Sequence, residues 1–94
     1  MYYVYIITNK FNNVFCDGVT NNLPRRIYEH RGKITKGFSE KYNVSKLVYF
    51  EACDNPMGAI EREKQIKNWH RPWKIDQITK SNAEWNDLYY EILK

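Results

Sequence analysis

"YYVYIITNKFNNVFCDGVT", residues 2–20, has the pattern of a β-hairpin. Its first seven residues are rich in β-branched and aromatic side chains, which favour strands. The polar "NKFNN" that follows ends in two asparagines, and Asn tolerates the backbone angles of tight turns. "VFCDGVT" then predicts the return strand, in which Gly18 permits a close backbone approach because it lacks a Cβ.

A helix is predicted directly after the hairpin. Asn21 or Asn22 can serve as its N-cap, because the short amide side chain can accept a hydrogen bond from the first turn. The residues expected to face the core are Leu23, Ile27 and Tyr28. Arg26 and His30 are one turn apart and are predicted to share another face of the helix.

The rest of the chain predicts one further strand and several helices. Residues 32–43 have two glycines and no sustained period, which indicates a loop, and Ser45–Cys53 reads as a third strand. Helices are predicted over residues 57–69, 71–80 and 82–94, the first of them capped by Asp54. We therefore expect a single α+β domain over residues 1–94, with a small three-stranded antiparallel or mixed sheet flanked by helices.

The composition favours some partners and argues against others. Lys and Arg number 15 against 11 Asp and Glu, and the resulting net charge of +4 favours a polyanionic partner. Cys16 and Cys53 have neither CxxC spacing nor neighbouring Cys/His clusters, which argues against a zinc site. The sequence has no recognisable signal peptide or bilayer-spanning stretch, so we expect a cytoplasmic protein with reduced thiols and no membrane partner.

Two short motifs fall on the paired strands. "YVY" at residues 3–5 is followed, after ten residues, by "CDG" at residues 16–18. Arg26 comes eight residues after Gly18, and His30 four residues after that. With this spacing, and with the later segment "AIEREKQIKNW", nearly the whole chain resembles the GIY-YIG endonuclease superfamily. The resemblance is to its small stand-alone bacterial members, which are similar to the catalytic module of the excision-repair nuclease.

The resemblance implies metal-dependent hydrolysis of phosphodiester bonds in DNA, with Mg²⁺ or Mn²⁺ as cofactor and a place in DNA repair. It assigns the motif positions to Tyr3, Val4, Cys16, Asp17 and Gly18. The implied catalytic residues are Tyr5, Arg26 and His30. The implied metal ligand is Glu63, with Glu61 as the second choice.

The second motif departs from the family. Cys16 and Asp17 occupy the positions of a Tyr and an apolar residue, so Tyr5 alone remains of two motif tyrosines that surround the scissile phosphate in the family. Strand alternation allows only one of Cys16 and Asp17 to face the site. A thiolate at Cys16 would be repelled by the phosphate and by Asp17, so we do not expect it to replace the phenol.

These residue types suit phosphodiester hydrolysis on general grounds. Arg26 can offer fixed charge and paired hydrogen bonds where negative charge grows on the phosphate. Glu63 can hold a Mg²⁺ that keeps most of its waters and steadies the leaving oxygen. Tyr5 or His30 can accept or relay the proton of the attacking water.

Three classes of function are left open by the sequence. The first is a metal-dependent nuclease, weakened by the loss of the motif Tyr. The second is a catalytically impaired domain that binds nucleic acid through the basic residues Arg25, Arg26, Arg31, Lys33 and Lys36. The third is a protein-interaction module, which predicts no salt-sensitive DNA binding. Trp69, Trp73 and Trp85 are expected in the core, with stacking on unpaired bases as the alternative. The sequence indicates no oligomeric state.

Overall fold

The chain forms a three-stranded sheet with helices on both faces. The computed structural model describes residues 1–31 and 44–93. The strands are β1 (Tyr2–Thr8), β2 (Phe15–Thr20) and β3 (Lys46–Cys53), in the order β2-β1-β3. Both pairings with the central strand β1 are antiparallel, which confirms the predicted hairpin and the α+β class.

The described helices follow the predicted order. They are α1 (Leu23–Arg31), α2 (Pro56–Asn68), α3 (Arg71–Ser81) and the short α4 (Tyr89–Ile92). The predicted loop over residues 32–43 lies outside the described residues.

Alternation along β1 divides the core into two layers, because successive side chains point to opposite faces of the sheet. On one face Val4 and Ile6 pack against apolar residues of α2 and α3, namely Ala59, Ile66 and Ile78. On the other face Tyr5 and Ile7 pack against α1 through Leu23 and Ile27. The sheet therefore separates an α1 side from an α2/α3 side.

Asparagine side chains cap two of the helices. Asn22 Oδ1 accepts the Arg25 backbone N–H at 3.2 Å, in agreement with the predicted start of α1. The prediction of Asp54 as the cap of α2 was wrong, because Asn55 Oδ1 accepts the Gly58 N–H at 2.7 Å. Pro56 is the first helical residue, which makes the residue directly before it the cap.

The predicted helix over residues 82–94 was wrong for most of its length, since only Tyr89–Ile92 is helical. The buried Asn82 amide donates to the carbonyls of Val48 at 3.2 Å and Asn86 at 2.8 Å, and its Oδ1 accepts the Asn86 N–H at 3.0 Å. Trp85 has φ 56°. Side-chain to backbone bonds of this kind compete with a helical turn, so the chain turns here instead.

Two aromatic residues expected in the core are exposed. Tyr28 on α1 points to solvent because the buried face of that helix is completed by His30, three residues after Ile27. Trp73 on α3 is also exposed, whereas Trp69 and Trp85 are half-buried against the core.

Candidate active site

The Tyr5 hydroxyl is the centre of a three-residue cluster on the α1 side of the sheet. Arg26 Nε donates to it at 3.2 Å, and His30 Nε2 lies 3.3 Å away. Both partners come from α1, where residues four apart share a face. Tyr5 and His30 are buried, and 36% of the Arg26 side chain is exposed. The structure thus brings the three predicted catalytic residues together, with the guanidinium nearest to solvent.

Gly18 makes room for the Tyr5 ring. The two residues are directly paired across β1 and β2, and a Cβ placed on Gly18 would lie 2.6 Å from Tyr5 Oη. Any larger residue would collide with the phenol, so this position requires glycine because of close approach.

Burial sets the protonation of the cluster. It raises the pKa of Tyr5, and the hydrogen bond and charge of Arg26 act in the opposite direction. Burial also lowers the pKa of His30 from its usual 6.5, with a further contribution from Arg26. His30 is therefore neutral at pH 7, and a neutral imidazole nitrogen can accept a proton.

Glu29 is a neighbour of the cluster that was not among the residues predicted from the sequence. Its carboxylate lies 3.5 Å from Arg26 Nη1 and 3.6 Å from Arg25 Nε. The i,i+3 and i,i+4 spacings on α1 were the available signal. Glu29 therefore stabilises the charge of the Arg26 guanidinium.

An open cleft of about 450 Å³ borders the cluster at Arg26. Residues that also line it include Thr20, Asn22, Arg25 and Glu29. A phosphate could reach the guanidinium from this side.

Cys16 and Asp17 point to opposite faces of the sheet, as strand alternation requires. Cys16 pairs with Ile7 and packs on the α1 side with Tyr5. Asp17 pairs with Lys74 of α3, whose Nζ lies 3.3 Å from its carboxylate. The Asp17 side chain is only 7% exposed. Of the two, Cys16 lies on the face that carries Tyr5, and Asp17 connects β2 to α3.

The Cys16 thiol is held in its neutral form. Burial and the charge of Asp17 raise its pKa, with a smaller contribution from Glu63, while Lys67 and Arg26 oppose the shift. A neutral thiol is a poor proton acceptor, which agrees with the expectation that Cys16 does not replace the phenol. Glu63 and Lys67 of α2 are thus charged groups that act on the Cys16 thiol.

The two candidate metal ligands on α2 differ in exposure. Its side chain is 16% exposed and lies 3.7 Å from Lys67 Nζ, whereas Glu61 is exposed. Within residues 1–31 and 44–93, no group of three or more His, Cys, Asp or Glu side chains could hold a metal. One carboxylate still fits Mg²⁺, which keeps several waters and binds proteins through one or two carboxylates.

The predicted nucleic-acid-binding residues lie in different settings. Arg25 is 75% exposed beside the cluster. Arg31 forms an ion pair with Asp87 and its guanidinium lies 4.7 Å from the Tyr89 ring centre, which ties α1 to the C-terminal segment. Lys33 and Lys36 lie outside the described residues. The guanidinium of Arg25 is therefore more available to a phosphate than that of Arg31.

The first motif supports the cluster from within β1. Tyr3 pairs with Thr20 across the hairpin and packs on the α1 side, and Val4 is buried on the opposite side. Their pairings belong to the same register in which Tyr5 lies opposite Gly18.

A family model of the GIY-YIG catalytic domain matches residues 1–76. The chain belongs to the GIY-YIG family. Membership in this family indicates nuclease-like activity and nucleic acid as partner, and GIY-YIG nucleases generally depend on a divalent metal.

Relatives of this GIY-YIG chain match it nearly end to end. A UPF0213 protein of Clostridium perfringens is 34% identical over 92 residues, which cover 98% of each chain. A UPF0213 protein of Haloquadratum walsbyi is 28% identical over 90% of this chain and 93% of its own. The solution NMR structure of a UPF0213 protein from Bacillus halodurans has a TM-score of 0.58 at 23% identity, over 93% of both chains. That likeness supports the fold.

In the part of the chain that the structure describes, no helix has the length and apolar character to cross a membrane.

Proposed function

We propose that this GIY-YIG chain is a metal-dependent endonuclease that hydrolyses phosphodiester bonds in DNA, with activity reduced by Cys16. The observation that carries the proposal is the Tyr5 hydroxyl within hydrogen-bond reach of both Arg26 and His30. The cluster combines a fixed positive charge with two groups able to handle a proton, and phosphodiester hydrolysis needs both.

Arg26 stabilises the negative charge that grows on the phosphate. A guanidinium carries five N–H donors, so its contacts with Tyr5 and Glu29 leave others for phosphate oxygens. Its partial exposure at the cleft supports this role.

Tyr5 and His30 move the proton of the attacking water. Arg26 donates to the Tyr5 oxygen, which lets the Tyr5 O–H point at neutral His30 Nε2. As Tyr5 accepts a proton from water, it passes its own to His30. The raised pKa of Tyr5 disfavours a free phenolate, which makes a concerted transfer the better route.

Glu63 would hold the metal. A bound Mg²⁺ or Mn²⁺ would supply charge stabilisation at the leaving oxygen. The low exposure of the Glu63 side chain suits a carboxylate that is held in a fixed position to bind the ion.

The first experiment is cleavage of supercoiled plasmid and of a branched oligonucleotide in Mg²⁺ or Mn²⁺. Arg26→Ala and Glu63→Gln are expected to lose cleavage, on the order of 10²-fold or more for Arg26→Ala. Glu61→Gln is the matched control, since it removes a neighbouring exposed carboxylate from the same helix. Cleavage that persists in Arg26→Ala would disprove the proposed site.

A second candidate function is a catalytically impaired domain that binds nucleic acid and cuts little. The neutral Cys16 thiol in place of the motif Tyr favours it, because loss of a proton-transfer group costs about 10²- to 10⁴-fold in rate. No cleavage above the Arg26→Ala background, together with salt-sensitive DNA binding, would establish this candidate. Absence of both cleavage and binding would point to the protein-interaction module.

A further inference from the structure

The three tryptophans differ in what they contact. Trp85 packs against Phe15 at 5.9 Å between ring centres, and its Nε1 donates to Thr79 at 3.1 Å. Trp69 is half-buried, with the Arg62 guanidinium 5.0 Å from its ring centre. Trp73 is 61% exposed. Trp85 is thus a packing residue, and Trp73 presents an indole to solvent.

Trp69 and Trp73 line one cavity of about 270 Å³ where α2 meets α3. Asp76 and Gln77 complete its lining. Trp73, Asp76 and Gln77 are three and four residues apart on α3, so they share one face of that helix. His70 supports the indole of Trp73 edge-on, at 5.6 Å between ring centres.

We infer that this cavity binds the base of an unpaired nucleotide, which extends the proposed nuclease site and rests on the proposed function. Indole faces stack on any base, and such stacking is a common source of affinity for single strands. Asp76 can accept from an exocyclic amine, and Gln77 can both donate to and accept from a base edge. The Asp76 carboxylate lies 3.2 Å from Lys80 Nζ, which offsets its charge.

The cavity lies at the C-terminal end of α2, the helix that also carries the candidate metal ligand Glu63. Glu63 pairs with Lys67, and Trp69 follows at the end of the helix. Six residues along a helix span about 9 Å, so Glu63 and the cavity lie within a few nucleotides of each other. The Lys67 side chain on the same helix is 67% exposed and can contact a phosphate.

The occupant is an unpaired nucleotide because a base within a duplex keeps its faces in the stack. Extrusion of such a base costs a few kcal/mol, which a single-stranded or frayed end does not require. The cavity therefore favours substrates with a flap, gap or branch over a blunt duplex.

The test measures the affinity of the protein for a fluorescently labelled single strand without self-complementarity and for a blunt duplex. Binding is followed by anisotropy in EDTA at low salt, so that cleavage does not interfere. Trp73→Ala is expected to lower the ratio of single-strand to duplex affinity by about tenfold or more. Trp73→Phe should restore most of the ratio, and Phe11→Ala, which removes another exposed ring, should leave the ratio unchanged.

An unchanged ratio in Trp73→Ala, with the fold intact by circular dichroism, would overturn the inference and leave the proposed function standing. An equal loss of affinity for the single strand and for the duplex would also overturn the inference, since the contact would then not depend on whether the base is paired. If the unmodified protein bound neither ligand, the proposed function would fail as well.

Discussion

The phenol of Tyr5 lies across the backbone of Gly18, its direct partner on the neighbouring strand. A Cβ on Gly18 would stand 2.6 Å from Tyr5 Oη and 2.8 Å from Cζ. Because Gly18 on β2 has no side chain, there is room for the Tyr5 hydroxyl at the place where it contacts Arg26 and His30.

Gly18→Ala is expected to displace the phenol. Overpacking of this kind costs about 1–3 kcal/mol of unfolding free energy. A displacement near 1 Å at a reacting group lowers the rate by about 10²-fold, so cleavage should fall further than stability explains. Gly58→Ala in the first turn of α2 is the control, and urea denaturation with plasmid cleavage measures both effects. Full activity in Gly18→Ala would show that the Tyr5 position is not critical.

Cys16→Tyr restores a phenol on the face that carries Tyr5. We expect cleavage to rise by about tenfold or more, because a proton-transfer group is typically worth 10²- to 10⁴-fold and Tyr5 and His30 already supply part of it. Cys16→Phe provides the same ring without the hydroxyl, so it separates chemistry from packing. Equal rates for the Tyr and Phe variants would contradict a role for the hydroxyl.

His30 is expected to make stability depend on pH. Burial and Arg26 lower its pKa, against an opposing effect of Glu29, so the unfolded chain takes up this proton first as pH falls. The contribution of neutral His30 to the free energy of unfolding is complete above about pH 6.5. Below that pH it declines by at most about 1.4 kcal/mol per pH unit. His30→Gln should flatten the difference between urea midpoints at pH 7.5 and pH 5.5. An unchanged pH dependence would rule out His30 as its source.

The Asp17–Lys74 pair is expected to matter for stability, since both side chains are largely buried. Asp17→Asn leaves the Lys74 charge without its partner, and breaking a buried pair costs about 3–5 kcal/mol. Asp76→Asn breaks the Asp76–Lys80 pair, whose side chains are more than half exposed, and should change stability by less than about 1 kcal/mol. Thermal denaturation of the two variants provides the comparison, and equal losses would contradict it.

The local elements near the candidate site followed from the sequence. The hairpin of β1 and β2 and the cap at Asn22 depend on strand propensity and on short-range hydrogen bonds, which the chain order already specifies. The i,i+4 spacing likewise placed Arg26 and His30 on one face of α1.

Contacts between distant segments did not follow from the sequence. No local sequence pattern predicts the ion pair between Asp17 and Lys74. The same is true of the hydrogen bond from the buried Asn82 amide to the Val48 carbonyl. Those contacts depend on how α3 and the C-terminal segment pack against the sheet. Trp73 was assigned to the core by its helical position, yet α3 turns that face to solvent. Tertiary packing decided these positions.

The outer edge of β3 shows what the C-terminal segment does for the sheet. At Leu47 the backbone N–H donates to Asp87 Oδ1 at 3.2 Å, and the carbonyl accepts the Leu88 N–H at 2.7 Å. An unpaired strand edge is a template for a strand of another chain, and here its polar groups are already bonded. The C-terminal segment therefore prevents this end of β3 from pairing with the edge strand of another chain.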